Sequence, residues 1–199
     1  MNIHHITRRT ILAALAVMAV PAAALAAPAV TGSSTAPHTV SATTATASCP
    51  RGWGSLPKAN SRMVQSPITN VRTGQHACFD RLVVDVRGRA PGYDVRYVTN
   101  VRQEGSGFVV PLRGGAKLQV VVRAPAFNAA GQPTYTPANP RELTNVTGYR
   151  TFRQVAFAGS FEGQTTIGLG VRARLPFRVV TLAGPGSNSR LVIDVAHHW

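Results

Sequence analysis

Residues 79–89 read FDRLVVDVRGR and residues 189–199 read SRLVIDVAHHW. Both contain an Arg, a hydrophobic run, and an Asp placed four residues after the Arg. In a β-strand, residues i and i+2 share a face. Leu82, Val84 and Val86 therefore point one way, and Arg81, Val83 and Asp85 the other. The second copy splits in the same manner, with Leu191, Ile193 and Val195 opposite Arg190, Val192 and Asp194. Both stretches are read as strands whose aliphatic phase enters a core, with the acid on the outer face. Each acid is expected to form an exposed pair with a cation on a neighbouring strand. A catalytic pair of Asp85 and Asp194 would require adjacent strands. Flanking arginines also favour carboxylate over carboxylic acid, which is the wrong form for a proton donor.

Further strands surround these two. Residues 93–97, 118–122 and 167–171 alternate, 177–182 continues the series, and YRTFRQVAF (149–157) is a less regular candidate. Turn chemistry separates them in RGRAPG, EGSG, RGG, FEGQ and GPGSNS. No helical period is sustained, and the best helical candidate is a single turn at 139–146. The pattern predicts an all-β sandwich of about seven or eight short strands with one long loop. That loop spans 125–148, with four prolines, two glycines and the aromatics Phe127 and Tyr135. A stretch of this length without strand pattern is either a binding loop or a packed excursion over a sandwich edge.

The chain opens with a basic MNIHHITRR, an apolar TILAALAVMAV and a small-residue ALA at 24–26, so 1–26 is read as a signal peptide. The apolar run is too short for a membrane span. TRRTIL resembles a twin-arginine export signal, but Ala13 stands where Lys is usual, so the general secretory route is favoured. Residues 27–48, rich in Ala, Thr, Ser and Pro, form a flexible linker, and 49–199 forms one domain. Cys49 and Cys78 are the chain's only cysteines. In an exported protein they are expected to form one disulfide, stabilising by about 3.6 kcal/mol in the chain-entropy model.

Enzyme chemistries find little support. Ser160 in GSFEG sits second rather than third, so the stretch is no nucleophile elbow. Glu104 and Glu162 could supply a glycosidase pair, but both lie in Gly-rich turns. His76, His197 and His198 give no metal-ligand spacing, and adjacent histidines on a strand face opposite ways. No catalytic residue, metal or cofactor is expected. Charge is more informative: once Arg8 and Arg9 leave with the leader, nineteen basic residues face seven acids. Arg150, Arg153, Arg172, Arg174 and Arg178 form one cluster. Guanidinium forks suit carboxylates and phosphates, so an exported domain of this charge attracts anionic polymers. Tyr135 and Tyr149 could stack on sugars while Arg150, Arg153 and Arg172 pair with acidic groups. No nucleic-acid motif is present.

The doubled R-L-V-[VI]-D-V strand resembles the core signature of AMIN domains, β-sandwich modules of bacterial envelope amidases and secretins. The wider string is more similar to the AMIN-like domains of secreted actinobacterial proteins. The matching pieces are WGSLPK (53–58), VRTGQHACFDRLVVDV (71–86), LRGGAKLQVVVRAP (112–125), GYRTFRQVAFAGSFEGQTTIGLGVRARLPFRV (148–179) and RLVIDVAHHW (190–199). The resemblance implies a non-catalytic envelope module, since AMIN domains target enzymes to peptidoglycan or to envelope sites. The chain departs from that pattern in lacking an attached amidase. The expectation is a secreted module that binds peptidoglycan or a teichoic-type polymer. The alternative is a protein-interaction module whose long loop docks a cell-wall enzyme.

Overall fold

The computed structural model describes residues 48–199. The signal peptide read at 1–26 and nearly all of the linker read at 27–48 lie outside the described residues. The described residues form eleven strands and no helix: β1 Lys58–Asn60, β2 Ile68–Gln75, β3 Phe79–Val86, β4 Tyr93–Val98, β5 Val101–Arg102, β6 Val109–Val110, β7 Ala116–Val122, β8 Phe152–Phe161, β9 Gln164–Val171, β10 Phe177–Ala183 and β11 Ser189–Ala196. They build a sheet β1-β4-β7-β9-β8, a sheet β10-β11-β3-β2 and a small hairpin β5-β6, with every pairing antiparallel. The larger sheets share one core. Leu82, Val84, Leu191 and Ile193 enter it from one side, and Val95, Leu118, Ile167 and Leu169 from the other, all fully buried.

The doubled motif forms a single antiparallel pair at the centre of the four-stranded sheet. Arg81 stands opposite Asp194, Val83 opposite Val192 and Asp85 opposite Arg190. Each copy thus sets its Asp against the other copy's Arg, so the two strands read alike from either end. The charges are used differently in the two places. Asp194 receives Arg81 Nε at 2.6 Å and Nη2 at 2.9 Å, plus Arg178 Nε of β10 at 2.8 Å. Asp85 takes Arg72 of β2 in a two-point pair at 2.8 and 2.9 Å, and Arg190 turns to the Ala183 carbonyl at 2.7 Å. The expected pairing across strands is present. The expectation that both acids are exposed is corrected: Asp194 has no exposure, because two guanidiniums and their stems close over it, while Asp85 is a quarter exposed.

Four strands escaped the sequence reading. In β2 the register shifts between Ile68 and Asn70, so its core residues Ile68 and Val71 stand three apart and break the two-residue period. The three-residue β1 and the hairpin β5-β6 are too short to show a period. The hairpin and the segment after it lie on the outer face of the five-stranded sheet. Val101 and Val110 there cover Ala156 and Ala158 in a second small core. Gly168 and Gly170 permit this approach: a Cβ at Gly168 would stand 2.8 Å from Leu112, and one at Gly170 would collide with the Arg113 carbonyl.

The segment 125–148 is a packed excursion across one edge of the sandwich. The Leu143 amide donates to the Val155 carbonyl and the Phe157 amide to the Pro140 carbonyl, both on β8. Thr134 Oγ1 donates to the Ile68 carbonyl of β2 at 2.8 Å, so one loop ties the outer strands of both sheets. The single helical turn expected at 139–146 is a hydrogen-bonded turn, closed by Glu142 N to Asn139 O at 3.1 Å.

Cys49 and Cys78 are bonded, with Cα atoms 5.4 Å apart. Mass spectrometry of the purified protein under non-reducing conditions should therefore find a peptide joining the two, and no free thiol. Alkylation of both cysteines without reductant would contradict it.

Candidate functional site

One end of the sandwich gathers the chemistry. Register places Phe79 opposite Ala196, Val195 opposite Phe177 and Phe152 opposite Val171. The starts of β3, β8 and β10 and the finishes of β9 and β11 therefore meet there. The disulfide joins them, since Cys78 precedes β3 directly.

Inside this end lies a fully buried acid, Asp80. Its Oδ2 accepts the amides of Thr151 at 2.6 Å and Phe152 at 3.0 Å, and its Oδ1 stands 3.1 Å from His197 Nε2. Thr151 Oγ1 donates to the Ala196 carbonyl at 3.2 Å. The arrangement clamps β3, β8 and the finish of β11 together by satisfying amides that would otherwise be buried unpaired. Sequence reading missed it, yet a signal existed. Asp80 is in phase with Leu82 and Val84, and His197 with Ile193 and Val195, so both polar side chains had to enter the core and needed a partner there. His198 turns to solvent, as expected of adjacent histidines.

On the outer face of the same end, aromatics and guanidiniums interleave. The Arg178 guanidinium lies 4.5 Å from the Trp53 ring centre and 5.6 Å from that of Phe79. Arg81 lies 5.2 Å over Phe79, and the His76 ring stacks on Phe79 at 4.5 Å. These arginines are held between Asp194 beneath and aromatic faces beside them, so their positions are fixed.

The structure brings Tyr149, Arg150, Arg153 and Arg172 together at this end, because the Arg172 amide bonds the Thr151 carbonyl at 2.9 Å. Arg153 spends its guanidinium on the carbonyls of Phe152, Tyr149 and Arg150, at 2.8, 3.0 and 3.3 Å. Arg172 donates to the His197 carbonyl. Tyr149 stacks on Phe152 and reaches Thr73 Oγ1 at 3.3 Å. Arg150 is exposed, with no side-chain hydrogen bond among the described residues. Tyr135 sits apart, packed on Phe157 further along β8, and burial pushes its phenol up to about 12. Arg174 and Arg178 lie at the same end, Arg174 bonded to Ser55 Oγ at 3.2 Å and Arg178 to Asp194.

Of the five arginines of the sequence cluster, only Arg178 is paired with an acid among the described residues, and most of the other acids are engaged elsewhere. Asp80 faces His197, Asp194 holds Arg81 and Arg178, Asp85 holds Arg72, and Glu142 holds Arg113. Asp94 stands 3.5 Å from Arg96. Glu104 accepts the Thr166 hydroxyl at 2.8 Å, and Glu162 lies in the β8–β9 turn at φ 48°. Ser160 lies within a bulge of β8, where its Oγ accepts the Ala126 amide at 2.9 Å and donates to the Gln164 carbonyl at 3.0 Å. Among the described residues no three His, Cys, Asp or Glu side chains are grouped to hold a metal.

The family model of the AMIN-like domain matches residues 66–197, two thirds of the chain. The chain belongs to the AMIN-like family. No curated protein and no solved structure matches it. The AMIN-like match takes in both copies of the doubled motif, the Asp80–His197 clamp and all strands from β2 to β11. Cys49 and both tryptophans, Trp53 and Trp199, fall outside it. Family and disulfide together fit an extracytoplasmic module of the cell envelope.

Proposed function

We propose that this AMIN-like domain is exported by its amino-terminal signal peptide and binds peptidoglycan or another anionic wall polymer without chemistry of its own. The observation that carries the reading is the charge arrangement at the disulfide end. Five arginines of one sequence cluster lie at that end, and only Arg178 among them pairs with an acid of the described residues. The other four offer positive charge to an anionic polymer with no acid among the described residues paired to them. Within the cluster, Arg150 and Arg174 are both exposed, and the cation pairs at this end leave no side-chain carboxylate facing either one.

The test uses purified sacculi stripped of protein. The disulfide-bonded domain should sediment with them and be released as salt rises, because each polymer contact is an exposed charge pair. Arg150→Glu combined with Arg174→Glu should weaken retention about tenfold or more, the cost of reversing a few charge-assisted contacts. The same reversal at Arg62 and Arg87, whose backbones bond Gly92 and Pro67 at the opposite end, should have a much smaller effect. Equal losses would reduce the site to bulk charge. Failure to sediment, with salt-resistant capture of one polypeptide, would instead support docking of a cell-wall enzyme.

A further inference from the structure

Both tryptophans of the chain line one cleft. Trp53 comes from the segment after the first cysteine and Trp199 from the residues after β11, so no periodicity connects them. The cleft encloses about 660 Å³, and the Cys49–Cys78 disulfide forms part of its wall. That volume lies within the roughly 300–1,000 Å³ of typical small-ligand sites. Arg51 and His198 also line it, and no carboxylate side chain does.

The two rings are held in different ways. Trp53 is braced by the Arg178 guanidinium at 4.5 Å and by Phe79 at 5.5 Å between ring centres. Trp199 donates its indole N–H to the Arg174 carbonyl at 3.2 Å and is still 73 % exposed. A large apolar ring positioned by its one polar atom, with its faces left in water, lacks a packing partner within the fold.

We infer that this cleft is a sugar subsite, taking one ring of a glycan that carries a carboxylate on the sugar or on an attached peptide. A pyranose offers a face of C–H groups to an indole and a rim of hydroxyls to donors around it. Arg51 beside the cleft and the neighbouring arginine cluster supply the counter-charge for the acid. The inference rests on the polymer-binding reading and names where on the basic end the polymer is gripped. Because most of the residues that line the cleft lie outside the AMIN-like match, the subsite belongs largely to this chain's own extensions of the family fold.

The experiment uses the secreted, disulfide-bonded protein and the soluble N-acetylglucosaminyl–N-acetylmuramyl peptide released from wall by muramidase. With both tryptophans at the cleft, intrinsic fluorescence reports on it directly. The disaccharide peptide should produce a saturable spectral change. Trp199→Ala should weaken that binding about tenfold, with an unchanged melting temperature, since the ring is mostly exposed. Trp199→Phe should restore most of the affinity, and the uncharged disaccharide of N-acetylglucosamine should bind at least tenfold more weakly. Sacculus binding that survives Trp199→Ala undiminished, with no spectral response to the disaccharide peptide, would overturn the subsite and leave the polymer reading standing. No sacculus binding by the unaltered protein would overturn both.

Discussion

Replacing Ile193 by Asp is expected to leave no folded domain, as judged by loss of the β-sheet circular dichroism signal and of resistance to proteolysis. Ile193 is fully buried at the middle of β11, paired with Val179 on one side and Leu82 on the other. An acid there meets aliphatic side chains and has no cation within the core. It must either lose its charge or draw water in, and each route costs several kcal/mol. A domain of this size holds only about 5–15 kcal/mol of net stability, part of which the lost aliphatic packing also removes. Val84→Asp should behave in the same way, since Val84 is equally buried in the partner strand. Leu182→Asp is the control: it changes a residue 37 % exposed on the outer face of β10 and should leave a folded protein. A folded Ile193→Asp protein would overturn the assignment of faces.

The second large effect separates two acids that look equivalent in sequence. Asp194→Asn should cost about 3 kcal/mol, the range seen when one partner of a buried pair is removed. Arg81 and Arg178 would remain side by side above a fully buried amide that cannot balance them. Asp85→Asn removes a pair that is half in solvent, and about 1 kcal/mol or less is expected. In thermal unfolding at neutral pH, the first change should lower the midpoint by about 6–12 °C and the second by only a few degrees. Added salt should shrink the Asp85 difference and leave most of the Asp194 difference. Equal losses would mean that the closure over Asp194 does not exclude water.

The faces of β3 and β11 were legible because alternation there is unbroken for six residues and each strand sits inside its sheet. The unequal burial of Asp85 and Asp194 was not legible, because it depends on β10 supplying Arg178 to one acid and on the aromatic cover from Trp53 and Phe79. Local sequence is silent about which arginine folds over which acid. β2 was lost to a bulge that moved Val71 out of phase with Ile68. The loop at 125–148 offered no period at all, since its order comes from single hydrogen bonds to β2 and β8. Within the candidate site, the arginine cluster was visible as composition. Its convergence needed the pairing of Val171 with Phe152. The tryptophan cleft was invisible, being made by two residues from opposite ends of the domain.

The placement of β11 between β10 and β3 also constrains when the four-stranded sheet can be completed. Strand β3 has one side unsatisfied until a strand 113 positions later, measured from Arg81 to Asp194, arrives to fill it. Contacts that remote in sequence form slowly, because a long loop must close before any pairing energy is gained. A chain emerging amino end first therefore cannot complete its four-stranded sheet until its last strand is available. Cutting off the final strand would have a cost beyond lost stability. It would leave β3 and β10 as two long apolar edges facing each other across a gap, a template for joining one molecule to the next.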